Sequence, residues 1–125
     1  MRIGEFADLM KTTKHTVRHY EELELLSPDW VGPYKKYGEK EIANFQVIRE
    51  MKDFGLALVD IQSLFKLKKA LGCGDLRLMK EVLEQLEEHA EGLKMQEEEL
   101  QARRLILVEE LEEIKGYFSS MNYNE

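Results

Sequence analysis

One apolar stripe constrains this chain more than any other feature. Leu76, Met79, Leu83, Leu86, Ala90, Leu93, Leu100, Leu107, Leu111, Ile114 and Phe118 follow one another mostly at alternating three- and four-residue steps. That is the heptad spacing of a helix packed lengthwise against another helix. Glu97 and Arg104 occupy stripe positions and interrupt it, as polar residues that set register or partner do, at a cost in stability. A helix from Leu76 to about Tyr117 is ~60 Å long at 1.5 Å per residue. No small domain buries a helix of that length, so the expectation is a homodimer formed with a second copy; the alternative is a helix folded back on its own domain. Gly116 and the aromatics Tyr117, Phe118 and Tyr123 then mark a frayed end or a docking point on the partner. Ser119–Glu125 carries no strong pattern.

Charge divides the chain at the same place. The 125 residues carry a net charge of −7, which by itself disfavours a nucleic-acid partner. Residues 1–69 hold 12 Lys/Arg against 11 Asp/Glu, and residues 70–125 hold 6 against 14, so the acid lies in the stripe region. Where phosphates are gripped, local clusters outweigh the sum. Lys11, Lys14 and Arg18 form one cluster, and Lys35 and Lys36 another.

Ahead of the stripe the pattern is one of short elements. Ile3, Phe6, Ala7 and Met10 lie on one helical face. After Lys11, Thr12 or Thr13 caps a second short helix, KHTVRHYE, anchored by Val17. Two such helices fit a helix-turn-helix, whose second helix reads base edges from its N-terminal residues. Spacing alone fits any small helical pair equally well. Leu23, Leu25 and Leu26 are core candidates, and Ser27-Pro28 stops the helix. Asp29–Gly38 reads as a ribbon turning at Val31-Gly32-Pro33. Glu39–Phe54 is a third helix, with Ile42, Phe45, Ile48 and Met51 on its apolar face, ended by Gly55. Val59–Lys69 is a fourth, burying Ile61, Leu64, Phe65 and Leu67. Gly72 and Gly74 flank Cys73 in a hinge over 70–74, and Asp75 is a fitting N-cap for the long helix.

MRIGEFADLMKTTKHTVRHYEELELLSP, followed by YKKYGEKEIANFQVIREMKDFGLALVDIQSLF, resembles the DNA-binding domain of the MerR family of bacterial transcription regulators. The resemblance covers roughly residues 1–67. It implies a mainly α fold: a winged helix-turn-helix DNA-binding head over 1–69, the hinge, a coiled-coil dimerisation helix over 75–118 and a tail over 119–125. By resemblance, Lys14 and His15 face the major groove, with Thr13 at a helix start whose cap and amides also suit a phosphate, and Arg18 matches the family's phosphate-binding arginine. His19 and Tyr20 match its aromatic or histidine pair, and Tyr34, Lys35, Lys36 and Tyr37 form the wing. From its place on the third helix, Arg49 is either a solvated arginine, the default, or one that reaches a phosphate. Two departures stand out. The family usually has a small residue, often glycine, where this chain has Lys11, and a left-handed residue there is costly without glycine. The wing's usual Gly-Tyr-Arg-x-Tyr stands here as Pro33-Tyr34-Lys35-Lys36-Tyr37, which exchanges a bidentate phosphate contact for a point charge.

No enzyme constellation is visible. His15, His19 and His89 meet no spaced carboxylate pair on a convincing face, and there is no glycine-rich phosphate loop. No cofactor and no metal are expected, since a single cysteine makes a poor soft-metal site. Cys73 is the one candidate sensor, and the expectation is a buried structural thiol that is not the primary switch. A small-molecule effector, where there is one, fits between the dimer helices or at the hinge, where Phe65, Leu71, Leu76 and Met79 line either an apolar cleft or ordinary core. No 18-residue apolar run points to a membrane span, the start has no signal-peptide character, and a lone cysteine without an internal disulfide fits a reducing cytosol, so the expected place is the cytoplasm. The reading is thus a homodimeric, sequence-specific DNA-binding regulator that distorts double-stranded promoter DNA. By family resemblance, RNA polymerase is its partner at the promoter. A coiled-coil structural or protein-interaction adaptor with a vestigial head is the alternative. It needs the stripe but not Arg18, Tyr20 or the Lys35-Lys36 wing.

Overall fold

A computed structural model describes residues 1–123. The chain runs α1 (Ile3–Leu9), α2 (Lys14–Glu22), β1 (Asp29–Val31), β2 (Tyr34–Lys36), α3 (Glu39–Asp53), α4 (Leu58–Leu71) and α5 (Leu76–Tyr123). It divides into two compact units, residues 1–82 and the remainder of α5 from Leu83.

The head closes around an aromatic cluster. Phe6 of α1 stacks on Tyr37 with centroids 4.9 Å apart and meets Phe45 of α3 edge-on at 5.9 Å. Tyr20 of α2 joins Phe45 at 5.6 Å. Val17, Leu25, Leu26, Ile48, Ile61 and Leu64 are buried around them, so every element of the head except the wing strands contributes to one core. Aromatic pairs in these offset and edge geometries add to the stabilisation from burial alone.

Local chemistry sets each joint. The Thr13 hydroxyl oxygen accepts the Thr16 N–H at 3.1 Å, fixing the start of α2 as an N-cap does. Lys11 lies at φ +56, so the turn between α1 and α2 keeps a left-handed residue although a lysine fills it. A lysine in that conformation costs about 1–2 kcal/mol. Gly32 at φ +60 and Pro33 make the two-residue turn of the wing. The resulting register sets Asp29 opposite Lys36, Trp30 opposite Lys35 and Val31 opposite Tyr34. Met1 and Tyr37 are stitched in both directions: the Tyr37 N–H donates to the Met1 carbonyl at 2.7 Å, and the Met1 nitrogen donates to the Tyr37 carbonyl at 3.0 Å. This seats Arg2 beside the wing.

Four expectations change. α4 extends through Ala70 and Leu71, so the break between helices is Gly72–Asp75, with Gly72 at φ +89 and Gly74 at φ +90. Cys73 is exposed, because a loop built on two left-handed glycines runs over the surface and gives the thiol nothing to pack into. At the start of α5 the buried residue is Leu78, 8% exposed, whereas Leu76 of the stripe is 79% exposed. In its first turn α5 thus turns Leu78, not the stripe residues Leu76 and Met79, to the head. Finally, α5 continues past Tyr117 to Tyr123. An interior glycine costs a helix only about 1 kcal/mol, too little for Gly116 to end one already some forty residues long. Asn124, Glu125 and the side chain of Tyr123 lie outside the described residues, and with them the docking role expected of Tyr123.

Candidate nucleic-acid interface

The exposed side of α2 begins at its capped end. Lys14, His15, Arg18 and His19 are all exposed, one turn or less apart, while Val17 and Tyr20 on the other side enter the core. Lys14 lies across Gly4: a Cβ there would stand 3.4 Å from the lysine Cε, so the missing side chain leaves room for its stem. His19 Nδ1 is 3.9 Å from the Glu22 carboxylate.

The wing meets the end of α2 at Glu21. That carboxylate, whose side chain is 11% exposed, accepts from Lys35 Nζ at 3.2 Å and from the Tyr37 hydroxyl at 3.1 Å. Burial first, then the Glu21 charge and hydrogen bond, push the Tyr37 phenol well above the ordinary tyrosine range. Tyr37 is thus a core residue with its hydroxyl engaged, and it fixes the base of the wing. Tyr34 is exposed, with the Arg2 guanidinium 3.6 Å from its ring centroid. Lys35 Nζ lies 5.4 Å from the centroid of Trp30, its cross-strand neighbour. Arg2, Arg18, Trp30, Tyr34 and Lys35 line one open cleft of about 350 Å³, with Glu21 and Tyr37 below. Lys36 is exposed, opposite Asp29 in the register.

A second cleft of about 290 Å³ lies beside the turn, lined by Thr12, Thr16, Tyr20, Arg49 and Lys52 among others. Tyr20 is buried to its rim, and Lys52 Nζ donates to its hydroxyl at 3.5 Å. The Arg49 guanidinium donates to the Met10 carbonyl and lies 4.9 Å from the Phe45 centroid. It therefore ties α3 to the C-terminus of α1, at the turn where Lys11 is strained.

The candidate residues fall into three groups. Lys14, His15, Arg18 and His19 share the exposed side of α2, and Tyr34 and Lys35 join Arg18 across the first cleft. Tyr20 and Arg49 meet at the second cleft. Tyr37 belongs to the core. Sequence reasoning missed Arg2, Glu21, Trp30 and Lys52. The hairpin register carried a signal for Trp30: a two-residue Gly-Pro turn sets it opposite Lys35. Arg2 had none, because only the pairing of Met1 with Tyr37 brings it to the wing.

Away from the head, the stripe stands uncovered. Met79, Leu83, Ala90, Leu93, Leu100, Leu107, Leu111, Ile114 and Phe118 are exposed, and Leu86 is half-buried. An exposed apolar surface of this extent, broken only by Glu97 and Arg104, is the kind that association covers. At the hinge, Cys73 and Phe65 share a cleft of about 370 Å³ with Lys40, Lys68, Lys69 and Glu24. Leu71 is half-buried and Met79 exposed, and neither they nor Leu76 line that cleft, where three lysines stand beside Leu25 and Phe65. Among the described residues no cluster of three or more His, Cys, Asp or Glu is arranged to hold a metal, and no helix is long and apolar enough to cross a membrane.

A capped second helix with an exposed basic side, flanked by a two-stranded wing, defines a winged helix-turn-helix protein. A family model described as MerR HTH family regulatory protein matches residues 1–68, and the chain belongs to that family, one of regulators rather than enzymes. It is 37% identical over 65 residues to the multidrug-efflux transporter 2 regulator of Bacillus subtilis (strain 168), covering 50% of this chain and 24% of that protein. It is 26% identical over 111 residues to a ZntR homolog, an HTH-type transcriptional regulator of Haemophilus influenzae, covering 87% of this chain and 79% of that protein. Among solved structures, the transcription regulator PbrR691 from Ralstonia metallidurans CH34, in complex with lead(II), superposes with a TM-score of 0.54 at 29% identity. The match covers 83% of this chain and 85% of that one. Across three curated relatives of its head, the chain spans 24%, 47% and 52% of their length.

Proposed function

We propose that the chain acts as a homodimer, binds double-stranded promoter DNA in a sequence-specific way and regulates transcription. The observation that carries this reading is the convergence of α2 and the wing: Arg18 and Lys35, distant in sequence, line one exposed cleft. In this reading Lys14 and His15 contact base edges, with Thr13 holding the start of their helix. Arg18, His19, Tyr34, Lys35 and Lys36 contact the backbone, which positions the protein without carrying sequence information. Tyr20, Lys52 and Arg49 brace the turn and offer donors at its rim. The stripe of α5 pairs two chains and thereby fixes the separation of two heads, hence of two half-sites.

Two heads held at a set separation on one duplex bend or untwist it where the sites are not in register. The deformation is offset by phosphate contacts at both ends. Such a protein alters how RNA polymerase meets the promoter. An effector, where there is one, acts at the hinge cleft beside Cys73. Work on chromosomal promoters places the protein in the cytoplasm. Selection of binding duplexes from a random pool tests the reading: it predicts enrichment of a two-fold symmetric sequence, and a pool with no consensus would overturn it.

A further inference from the structure

Cations alone do not account for the wing. Trp30, the chain's single tryptophan, is 66% exposed, and Tyr34 is 52% exposed. The core is sealed without them, by Tyr37 and Phe6. Each exposed ring carries a cation: Arg2 at 3.6 Å from Tyr34 and Lys35 at 5.4 Å from Trp30. All four side chains line the cleft that holds Arg18. The single carboxylate there, Glu21, is turned inward to Lys35 and Tyr37. The cleft mouth therefore presents positive charge and flat apolar rings side by side. A nucleotide backbone is built to the same alternation, a charged phosphate followed by an apolar sugar face. Arg2 brings a guanidinium into that same cleft.

We infer that Arg2, Trp30 and Tyr34 form a shelf for the deoxyribose-phosphate backbone of duplex DNA beside the reading helix. Arg2 holds a phosphate, and Trp30 lies against the adjoining sugar. The inference rests on the DNA-binding reading above and adds two residues and a mode of contact to it. The shelf grips every sequence alike, because sugar and phosphate do not vary with the base.

Trp30 reports on its own environment, so the full-length wild-type chain is titrated with sheared duplex DNA at low salt while tryptophan emission and its quenching by acrylamide are followed. The shelf predicts quenched emission and an acrylamide quenching constant that falls by roughly threefold at saturation, as a contact that excludes solvent requires. Arg2→Ala should weaken binding roughly fivefold and reduce the salt slope by about one. Trp30→Ala should weaken binding roughly fivefold with the slope unchanged. Acrylamide access equal in free and saturated wild type, or an Arg2→Ala variant with wild-type affinity and slope, overturns the inference. The quenching measurement needs no substitution, so a variant that fails to fold leaves the test intact. DNA binding that requires Arg18 but ignores Arg2 and Trp30 removes the shelf alone. Absence of any salt-dependent binding by the wild type removes the DNA reading with it.

Discussion

Replacing Leu100 with alanine should weaken association of two chains by an amount the exposure of that residue sets. Full burial of a leucine side chain stabilises by about 2.5 kcal/mol. Leu100 is 61% exposed on the lone chain, so about 1.5 kcal/mol remains to be gained on association. A symmetric dimer contains the substitution twice. Allowing for the methyl group that alanine keeps, the loss is about 2–3 kcal/mol, roughly a 30- to 150-fold rise in dimer Kd. Alanine is the stronger helix former, so α5 itself should remain helical. Sedimentation equilibrium from nanomolar to hundreds of micromolar reads the shift directly, with circular dichroism as the check on helix content. Glu98→Ala, an exposed residue off the stripe, serves as the control and should leave Kd unchanged. A monomeric wild type, or equal Kd for Leu100→Ala and Glu98→Ala, would refute the assignment of the stripe as the association face.

Lys11→Gly should raise stability by about 0.5–1 kcal/mol, because a left-handed lysine costs about 1–2 kcal/mol and the added freedom of glycine in the unfolded chain returns part of that. A higher midpoint in urea with an unchanged slope is the expected result, and a lower midpoint would contradict the strain. The Tyr37 phenol is held above its ordinary value in the folded chain, so the stability it contributes is complete below about pH 10, the value in an unfolded chain, and is lost as pH rises beyond it. Tyr37→Phe should accordingly flatten the alkaline decline of urea-unfolding stability above that pH. An identical alkaline profile in both proteins would show that another group causes it. Cys73→Ser should change stability by less than about 0.5 kcal/mol, since the thiol is exposed, and the wild-type thiol should react with a disulfide reagent without unfolding. Slow reaction limited by global unfolding would mean that the thiol is covered.

The head was legible because its signals are local. Apolar spacing at Ile3, Phe6 and Val17, a threonine before a basic run, and Gly32-Pro33 between two short strands each name an element within a few residues. The stripe was legible as a period, but a period does not say which face meets the chain's own head. That face proved to include Leu78, outside the stripe. Cys73 was misplaced for a related reason: free cysteine is most often buried, yet two flanking left-handed glycines carried this one over the surface. The candidate interface was legible where it sits on one helix and illegible where it depends on closure of the fold. Lys14, His15 and Arg18 follow from α2 alone. Arg2 reaches Tyr34 only because Met1 pairs with Tyr37, and the engagement of Tyr37 and Lys35 with Glu21 arises from packing of the wing on α2.

The central claim is that α2 and the wing together grip duplex DNA through Arg18 and Lys35 while Lys14 and His15 read it. The most direct test is the salt dependence of binding to a selected operator and to its scrambled duplex, for the wild type, Arg18→Ala, Lys35→Ala, Lys14→Ala and His15→Ala. The account predicts that Arg18→Ala and Lys35→Ala weaken binding to both duplexes alike, each lowering the slope of log K against log salt by about one. Lys14→Ala and His15→Ala should instead compress the ratio between the two duplexes, by roughly tenfold for a lost base contact. Unchanged slopes for Arg18→Ala and Lys35→Ala, with selectivity intact in Lys14→Ala and His15→Ala, would contradict it.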